Sequence, residues 1–292
     1  MTYHILYNPL AGHGDQTEKV SALSAKLQAD TVTHDITKLE SYASLANSLT
    51  SDDAIILCGG DGTINRFVND TQGINFPCDI LYYPMGTGND FLHDLGKTQD
   101  DAPISLAPYI QNLPTVEVNG RTYKFLNNVG FGIDGYCTKV GDEMKKASDK
   151  PVNYTAIAIK GLLFHYRPTN AVITVDGQTF AYKKVWLAPT MKGRYYGGGM
   201  MATPAQDRNN PSGELSVMLF YGKGRLSTLM AFPSIFKGEH IKHKNMVVIH
   251  TGHDIHVKFD APTPLQIDGE TILGVTEYRA TARVSAPVEA SV

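Results

Sequence analysis

The stretch Cys58-Gly59-Gly60-Asp61-Gly62-Thr63-Ile64-Asn65 sets three glycines around one aspartate, directly after the apolar run Ala54-Ile55-Ile56-Leu57. A strand that delivers such a loop into a helix exposes several backbone N–H groups and a positive helix end, which suit a polyphosphate. Glycine lets the backbone come close to the phosphates, and Asp61 can hold a metal-bound water beside them. A tight turn accounts for one or two of these glycines, whereas the whole run points to a nucleotide. Three other stretches have similar chemistry. Asn8-Pro9-Leu10-Ala11-Gly12 offers backbone amides and an Asn side chain after the opening strand. Gly86-Thr87-Gly88-Asn89-Asp90-Phe91 follows the strand Ile80–Tyr83 and adds two hydrogen-bonding side chains. Leu265-Gln266-Ile267-Asp268-Gly269-Glu270 runs a strand into a turn that presents two carboxylates.

These loops need elements to position them. Short apolar runs alternate with helix-compatible stretches over the first hundred or so residues, at His4–Tyr7, Gln16–Ala29, Thr31–Ile36, Leu39–Leu49, Ala54–Leu57 and Asp79–Tyr83. That rhythm reads as βαβαβ with a parallel sheet, whose loops after the strands are where such folds bind ligands. From about Thr115 the pattern becomes short β-rich segments with Asn119-Gly120 and Asp176-Gly177 between them, the signature of hairpins. One helix is expected within that region, at Tyr154–His165. The expected domains are 1–113 and 114–278, with a tail at 279–292 returning to the first.

Composition narrows the function classes. The 292 residues suit two domains, and the formal net charge of −3 argues against nucleic acid as the main partner. Cys58, Cys78 and Cys137 are widely spaced, so neither a disulfide framework nor a Cys-rich metal site is indicated, and a reduced, cytoplasmic setting is expected. The histidines between His240 and His256 carry no tight ligand set for zinc. No apolar run approaches the roughly 18 residues of a membrane span, so any membrane contact is expected to be peripheral. Leu226–Phe236 with Lys223, Arg225 and Lys237, and Ile157–Phe164, are the apolar segments suited to anionic lipid.

In this order the motifs resemble the diacylglycerol kinase catalytic-domain family, lipid kinases that include sphingosine and ceramide kinases. The match is carried by Asn8-Pro9 with Gly12, Gly59-Gly60-Asp61-Gly62-Thr63 with Asn65, and Gly86-Thr87 with Asn89-Asp90-Phe91. It continues through Tyr196-Gly197-Gly198-Gly199-Met200 and Ile267-Asp268-Gly269-Glu270. The resemblance implies a Rossmann-like α/β domain, akin to that of NAD kinases and phosphofructokinases, followed by an antiparallel β-sandwich. It implies ATP and Mg²⁺ as cofactors and a lipid alcohol such as diacylglycerol as acceptor, met at a membrane surface, with a homodimer as a further expectation. Its ATP contacts fall on Asn8, Pro9, Leu10, Ala11, Gly12, Thr37, Gly59, Gly60, Asp61, Gly62, Thr63, Ile64, Asn65, Arg66, Gly86, Thr87 and Asn89. Glu270 is the implied proton acceptor, with Asp61 and Asp268 holding the catalytic Mg²⁺ and its waters.

Two positions depart from the family pattern. Arg66 stands where a glutamate is usual, either as a phosphate clamp or as a sign of altered chemistry. A second-domain turn whose Asp binds a structural Mg²⁺ in the family reads Asn209-Asn210-Pro211-Ser212-Gly213-Glu214-Leu215 here. Ser212 is a poor replacement for a carboxylate ligand, which leaves Asp207 and Glu214 as the nearby carboxylates. An NAD kinase, sharing the Gly-Gly-Asp-Gly loop, and a catalytically weak nucleotide- or lipid-binding homologue are the alternative readings.

Overall fold

The computed structural model describes residues 1–9, 16–86, 89–147 and 152–283, the side chains of Lys145, Lys146 and Thr155 apart. The chain divides into two compact units, Met1–Gln111 and Asn112–Val292. The first contains β1 (Thr2–Tyr7), α1 (Gln16–Leu27), β2 (Asp30–Asp35), α2 (Tyr42–Ser48), β3 (Ala54–Gly59), α3 (Asp61–Asp70), β4 (Asp79–Pro84), α4 (Asp90–Asp94), β5 (Ile104–Ser105) and α5 (Ala107–Ile110). Its sheet runs β2-β1-β3-β4-β5, with β1 to β4 parallel and β5 antiparallel. All six residues of β3 are buried, as an unbroken apolar run in the middle of a parallel sheet must be.

The second unit is antiparallel. It comprises β6 (Thr115–Val118), β7 (Arg121–Lys124), β8 (Asn128–Gly132), α6 (Ile133–Ala147), α7 (Tyr154–Lys160), β9 (Thr169–Val175), β10 (Gln178–Val185), β11 (Leu187–Met191), β12 (Tyr195–Tyr196), β13 (Met200–Met201), β14 (Leu215–Phe220), α8 (Arg225–Ala231), β15 (Val247–Gly252), β16 (Asp254–Ile267) and β17 (Glu270–Thr281). The main sheet runs β15-β14-β11-β8-β16-β17-β6-β7, and β9 joins β16 to β10. One face of its strands closes on a core that includes Phe131, Phe259, Leu265 and Tyr278. A parallel α/β unit followed by a large antiparallel β unit is the fold class the sequence implies. Arg279–Thr281, where the sequence reading starts a returning tail, end β17 and pair with β6; residues 284–292 lie outside the described residues.

The single helix expected in this unit is a correction. Tyr154–Lys160 is helical and its last turn widens into a π-type turn at Gly161–His165, but α6 and α8 are helices as well. α6 begins in a glycine-rich stretch that reads poorly as helix. The glycine is required by packing: a Cβ on Gly135 would sit 1.9 Å from the Pro264 carbonyl oxygen on β16. Close approach to a strand has overridden helix propensity.

Candidate functional site

In the first unit the parallel register brings four strand ends to one edge. Tyr7 of β1 aligns with Asp35 of β2 and Cys58 of β3, and Gly59 aligns with Pro84 of β4. Asn8-Pro9, Thr37, the Gly60–Asn65 segment and Gly86 therefore leave the sheet on the same side. The strand order reverses direction between β1 and β3, the switch point where open α/β sheets bind ligands. Leu10, Ala11, Gly12 and Thr87 lie outside the described residues.

Two of these loops are bonded to each other. The Gly59 carbonyl accepts from Met85 N at 2.8 Å, Gly86 N at 3.1 Å and the Tyr82 hydroxyl at 3.0 Å. Asn89 accepts from the same hydroxyl and donates to the Gly86 carbonyl. A Cβ on Gly86 would lie 2.7 Å from Gly60 Cα, so this glycine is a point of backbone contact. Around Gly62 nothing lies within 4 Å of such an atom. The chain is thus tight where the loops meet and open at the start of α3.

The side chains of the expected nucleotide contacts differ in exposure. Ile64 is fully buried and Asn65 nearly so, with Asn69 donating to the Asn65 carbonyl, so Ile64 has its side chain in the core rather than at a ligand. Arg66 is exposed on α3, where its charge is felt by Tyr42. Thr37 is exposed and donates both its N–H and its hydroxyl to Asp35, holding that carboxyl below its usual range. Burial pushes the Cys58 thiol up to about 12, so it is no nucleophile.

Asp61 and Asp268, the residues expected to hold the catalytic metal, each give their carboxylate to backbone amides. Asp61 accepts from Asp90 N at 2.7 Å and Phe91 N at 3.3 Å, capping α4 from the first turn of α3. Asp268 accepts from the amides of Leu126, Asn127 and Asn128. Among the described residues no group of three or more His, Cys, Asp or Glu could hold a metal ion.

Asp268 and Gly269 have φ of +45° and +93° and form the tight turn joining β16 to β17, with Ile267 paired across it to Glu270. Positive φ at both central residues is the hairpin geometry that Asp-Gly favours. Gln266 locks it further by accepting from Gly269 N at 2.8 Å. Glu270 emerges exposed from this clamp. A rigid turn with one exposed carboxylate can receive a proton from a bound hydroxyl.

The 207–214 loop is closed by its own side chains. Asn210 Oδ1 accepts from Ser212 N and Oγ, while Glu214 Oε2 accepts from Ser212 Oγ at 2.8 Å and Asn210 Nδ2 at 3.1 Å. These donors hold the Glu214 carboxyl below its usual range. Asp207 accepts from Asn209 N. N–H and O–H groups aimed at Glu214 stand where a cation would need acceptors, so this loop does not fit the structural Mg²⁺.

The sequence reading missed Asp134, at the start of α6. It is buried, neither carboxyl oxygen takes part in a well-formed hydrogen bond, and burial pushes it up to about 8 against smaller pulls from its own N–H and the nearby Tyr196 hydroxyl. Asn128 Nδ2 and Gln266 Nε2 are likewise buried without a partner. A Cβ on Gly130 would meet both Asp134 Oδ2 and Gln266 Nε2, so the two side chains converge beside the Asp268–Glu270 turn. Its signal was one aspartate between glycines, Gly132-Ile133-Asp134-Gly135.

Comparison with known proteins agrees with this division. Residues 2–115 match the diacylglycerol kinase catalytic domain, and residues 127–285 match the YegS C-terminal NAD kinase beta sandwich-like domain. The chain is 26% identical to a diacylglycerol kinase of Mycobacterium tuberculosis (strain ATCC 25618 / H37Rv), over 81% of this chain and 79% of the relative. It is 25% identical to a diacylglycerol kinase of Bacillus subtilis (strain 168), over 91% and 88%. A crystal structure of a diacylglycerol kinase from Bacillus anthracis str. Sterne shares the fold, with a TM-score of 0.59 at 20% identity over 98% of this chain and 97% of that one.

Proposed function

Because the chain belongs to the diacylglycerol kinase catalytic-domain family, with a YegS-type C-terminal domain and the ATP use the family implies, we propose that it is a lipid kinase. In this reading it transfers the γ-phosphoryl group of ATP to a hydroxyl of diacylglycerol or a related lipid alcohol. Mg²⁺ arrives with the nucleotide as part of that substrate, shielding phosphate charge. The loops at the C-terminal edge of β1 to β4 bind the phosphates through backbone amides, with Gly62 leaving room for them. Glu270 takes the proton of the attacking hydroxyl, and Asp268 fixes the turn that presents it.

The observation that carries the proposal is Glu270 itself. It is an exposed carboxylate on a turn whose neighbouring aspartate is bonded to three backbone amides. Asp134 and Gln266, buried beside that turn with unmet hydrogen-bonding capacity, are suited to a hydroxyl-bearing acceptor. A lipid surface is the partner expected of such a substrate. Phe164, Leu226 and Met230 are 71%, 68% and 70% exposed, and no helix among the described residues is long and apolar enough to cross a membrane.

An ATP-consumption screen across lipid alcohols, with NAD as control acceptor, tests the reading. Phosphorylated lipid supports it, and NADP formation would give the chain to the NAD kinases instead. Glu270→Gln should lower phosphoryl transfer by about 10²–10⁴ and leave ATP affinity unchanged, since the amide keeps the shape but accepts no proton. Turnover near wild type in that variant removes Glu270 from the mechanism.

A further inference from the structure

Arg208 is 6% exposed, and its guanidinium spans two acceptors: Nη1 donates to the Leu126 carbonyl and Nη2 to Asn127 Oδ1, both at 2.6 Å. The Leu126 carbonyl and the Asn127 N–H are the two ends of one peptide group. That N–H donates to Asp268 Oδ1 at 2.8 Å. A fixed positive charge therefore sits on the oxygen end of the peptide and a carboxylate on its nitrogen end, and each strengthens the other's hydrogen bond through it. Asn127 is further pinned by Lys192 N, which donates to its carbonyl, and Asp268 N returns a bond to the Asn128 carbonyl.

A buried guanidinium is costly unless its donors are met, and a planar fork meets two acceptors at once as an ammonium cannot. The loop that carries Arg208 is held by the Asn210, Ser212 and Glu214 bonds described above. Gln206 anchors its start by donating to the Glu214 carbonyl at 2.8 Å. The charge is thus built into a loop closed by its own side-chain hydrogen bonds.

We infer that Arg208 is a positioning residue for the Asp268-Gly269-Glu270 turn, a side-chain cation that fixes the Leu126–Asn128 segment on which Asp268 is clamped. Its bearing on catalysis rests on Glu270 being the proton acceptor; its bearing on the turn does not. The experiment compares Arg208→Gln, which keeps a donor and loses the charge, with Arg208→Lys, which keeps the charge and loses the fork. Backbone hydrogen exchange, turnover and the KM for ATP are measured for each, and wild-type melting is followed in EDTA and in Mg²⁺ alone.

In Arg208→Gln the amides of Leu126, Asn127, Asn128 and Gly269 should exchange about tenfold faster or more, the scale of a lost charge-assisted hydrogen bond. The amides of β1 to β4 should keep their rates. Turnover should fall by about tenfold with the KM for ATP unchanged, because only the proton acceptor's placement is disturbed. Arg208→Lys should lie between wild type and Arg208→Gln, and it decides by the same readouts if Arg208→Gln does not fold. Wild-type melting should be the same in EDTA and in Mg²⁺. Unchanged exchange at the four amides in a folded variant, or a wild-type melting temperature raised by Mg²⁺ alone, would overturn the inference. Absence of lipid phosphorylation by wild type would strike the lipid-kinase reading and leave the exchange result to stand or fall by itself.

Discussion

Asp61 in the first unit and Asp268 in the second each stand beside a glycine at the end of a strand, and each gives its carboxylate to backbone amides. They differ in reach. Asp61 binds the chain 29 and 30 residues on, where β4, the neighbour of β3, runs into α4. Asp268 binds amides 140 to 142 residues away, on a segment also held by a buried arginine. The first arrangement ties two adjacent loops and leaves Gly62 open, as a site must be that admits a large, charged ligand. The second immobilises the backbone of a hairpin from which one exposed side chain projects. Binding needs room, whereas proton transfer needs placement.

Removing each carboxylate tests that difference most directly. Asp268→Ala strands three buried or half-buried N–H groups and should cost about 3 kcal/mol, against about 2 kcal/mol for the two N–H groups stranded by Asp61→Ala. Urea denaturation of the two variants gives the order, and a larger loss in Asp61→Ala would reverse the comparison. Next come the glycines of the nucleotide loops. Gly86→Ala forces a methyl group to 2.7 Å from Gly60 Cα and should destabilise by about 1–3 kcal/mol. Gly62→Ala meets nothing in the protein, so melting should be unchanged or raised while calorimetry shows weaker ATP binding. Equal ATP affinity in Gly62→Ala would make that opening incidental.

Asp134 sharpens the contrast from the acceptor side through pH. Its carboxyl is raised from 3.8 to about 8 by burial, so between those values the folded protein binds more protons than the unfolded chain. Stability from this group is present at low pH and is lost as pH rises through about 8, by up to about 1.4 kcal/mol per pH unit. Melting from pH 5 to 8 should therefore fall less steeply in Asp134→Asn than in wild type, and parallel curves would show that Asp134 titrates normally. The smallest stability effect belongs to the surface. Leu226→Glu with Met230→Glu, four apart on one side of α8, should leave melting unchanged and reduce sedimentation with anionic vesicles about tenfold, as two exposed apolar groups lose their insertion. Full binding by the double variant would move the membrane contact elsewhere.

Much of this was legible in one dimension because it is local. The apolar run Ala54–Leu57 reads as a strand and is a buried central one, the glycine loop follows it, and Asn119-Gly120 and Asp176-Gly177 adopt the positive φ that hairpin turns require. Asp268-Gly269 is the same signal, and the turn it predicts is the one that joins β16 to β17. Nothing near Asp268 in the chain says that it will meet Leu126, because that contact is set by β8 pairing with β16. α6 was missed for a related reason: its glycines lower helix propensity locally, and the strand that Gly135 packs against lies more than a hundred residues on.

By itself the sequence determined the order of the two units, the position of the phosphate-suited loops and the tight turn that carries Asp268 and Glu270. These depend on strand patterning, glycine conformation and turn chemistry over a few residues. Tertiary structure decided that Asp61 and Asp268 serve backbone amides, that Ile64 faces the core, that Asp134 is buried and its carboxyl raised by that burial, and that Arg208 lies buried against the Leu126 peptide. A carboxylate or guanidinium has the same chemistry wherever it stands in the chain. Its role follows from the partners and the loss of water that distant strands impose on it.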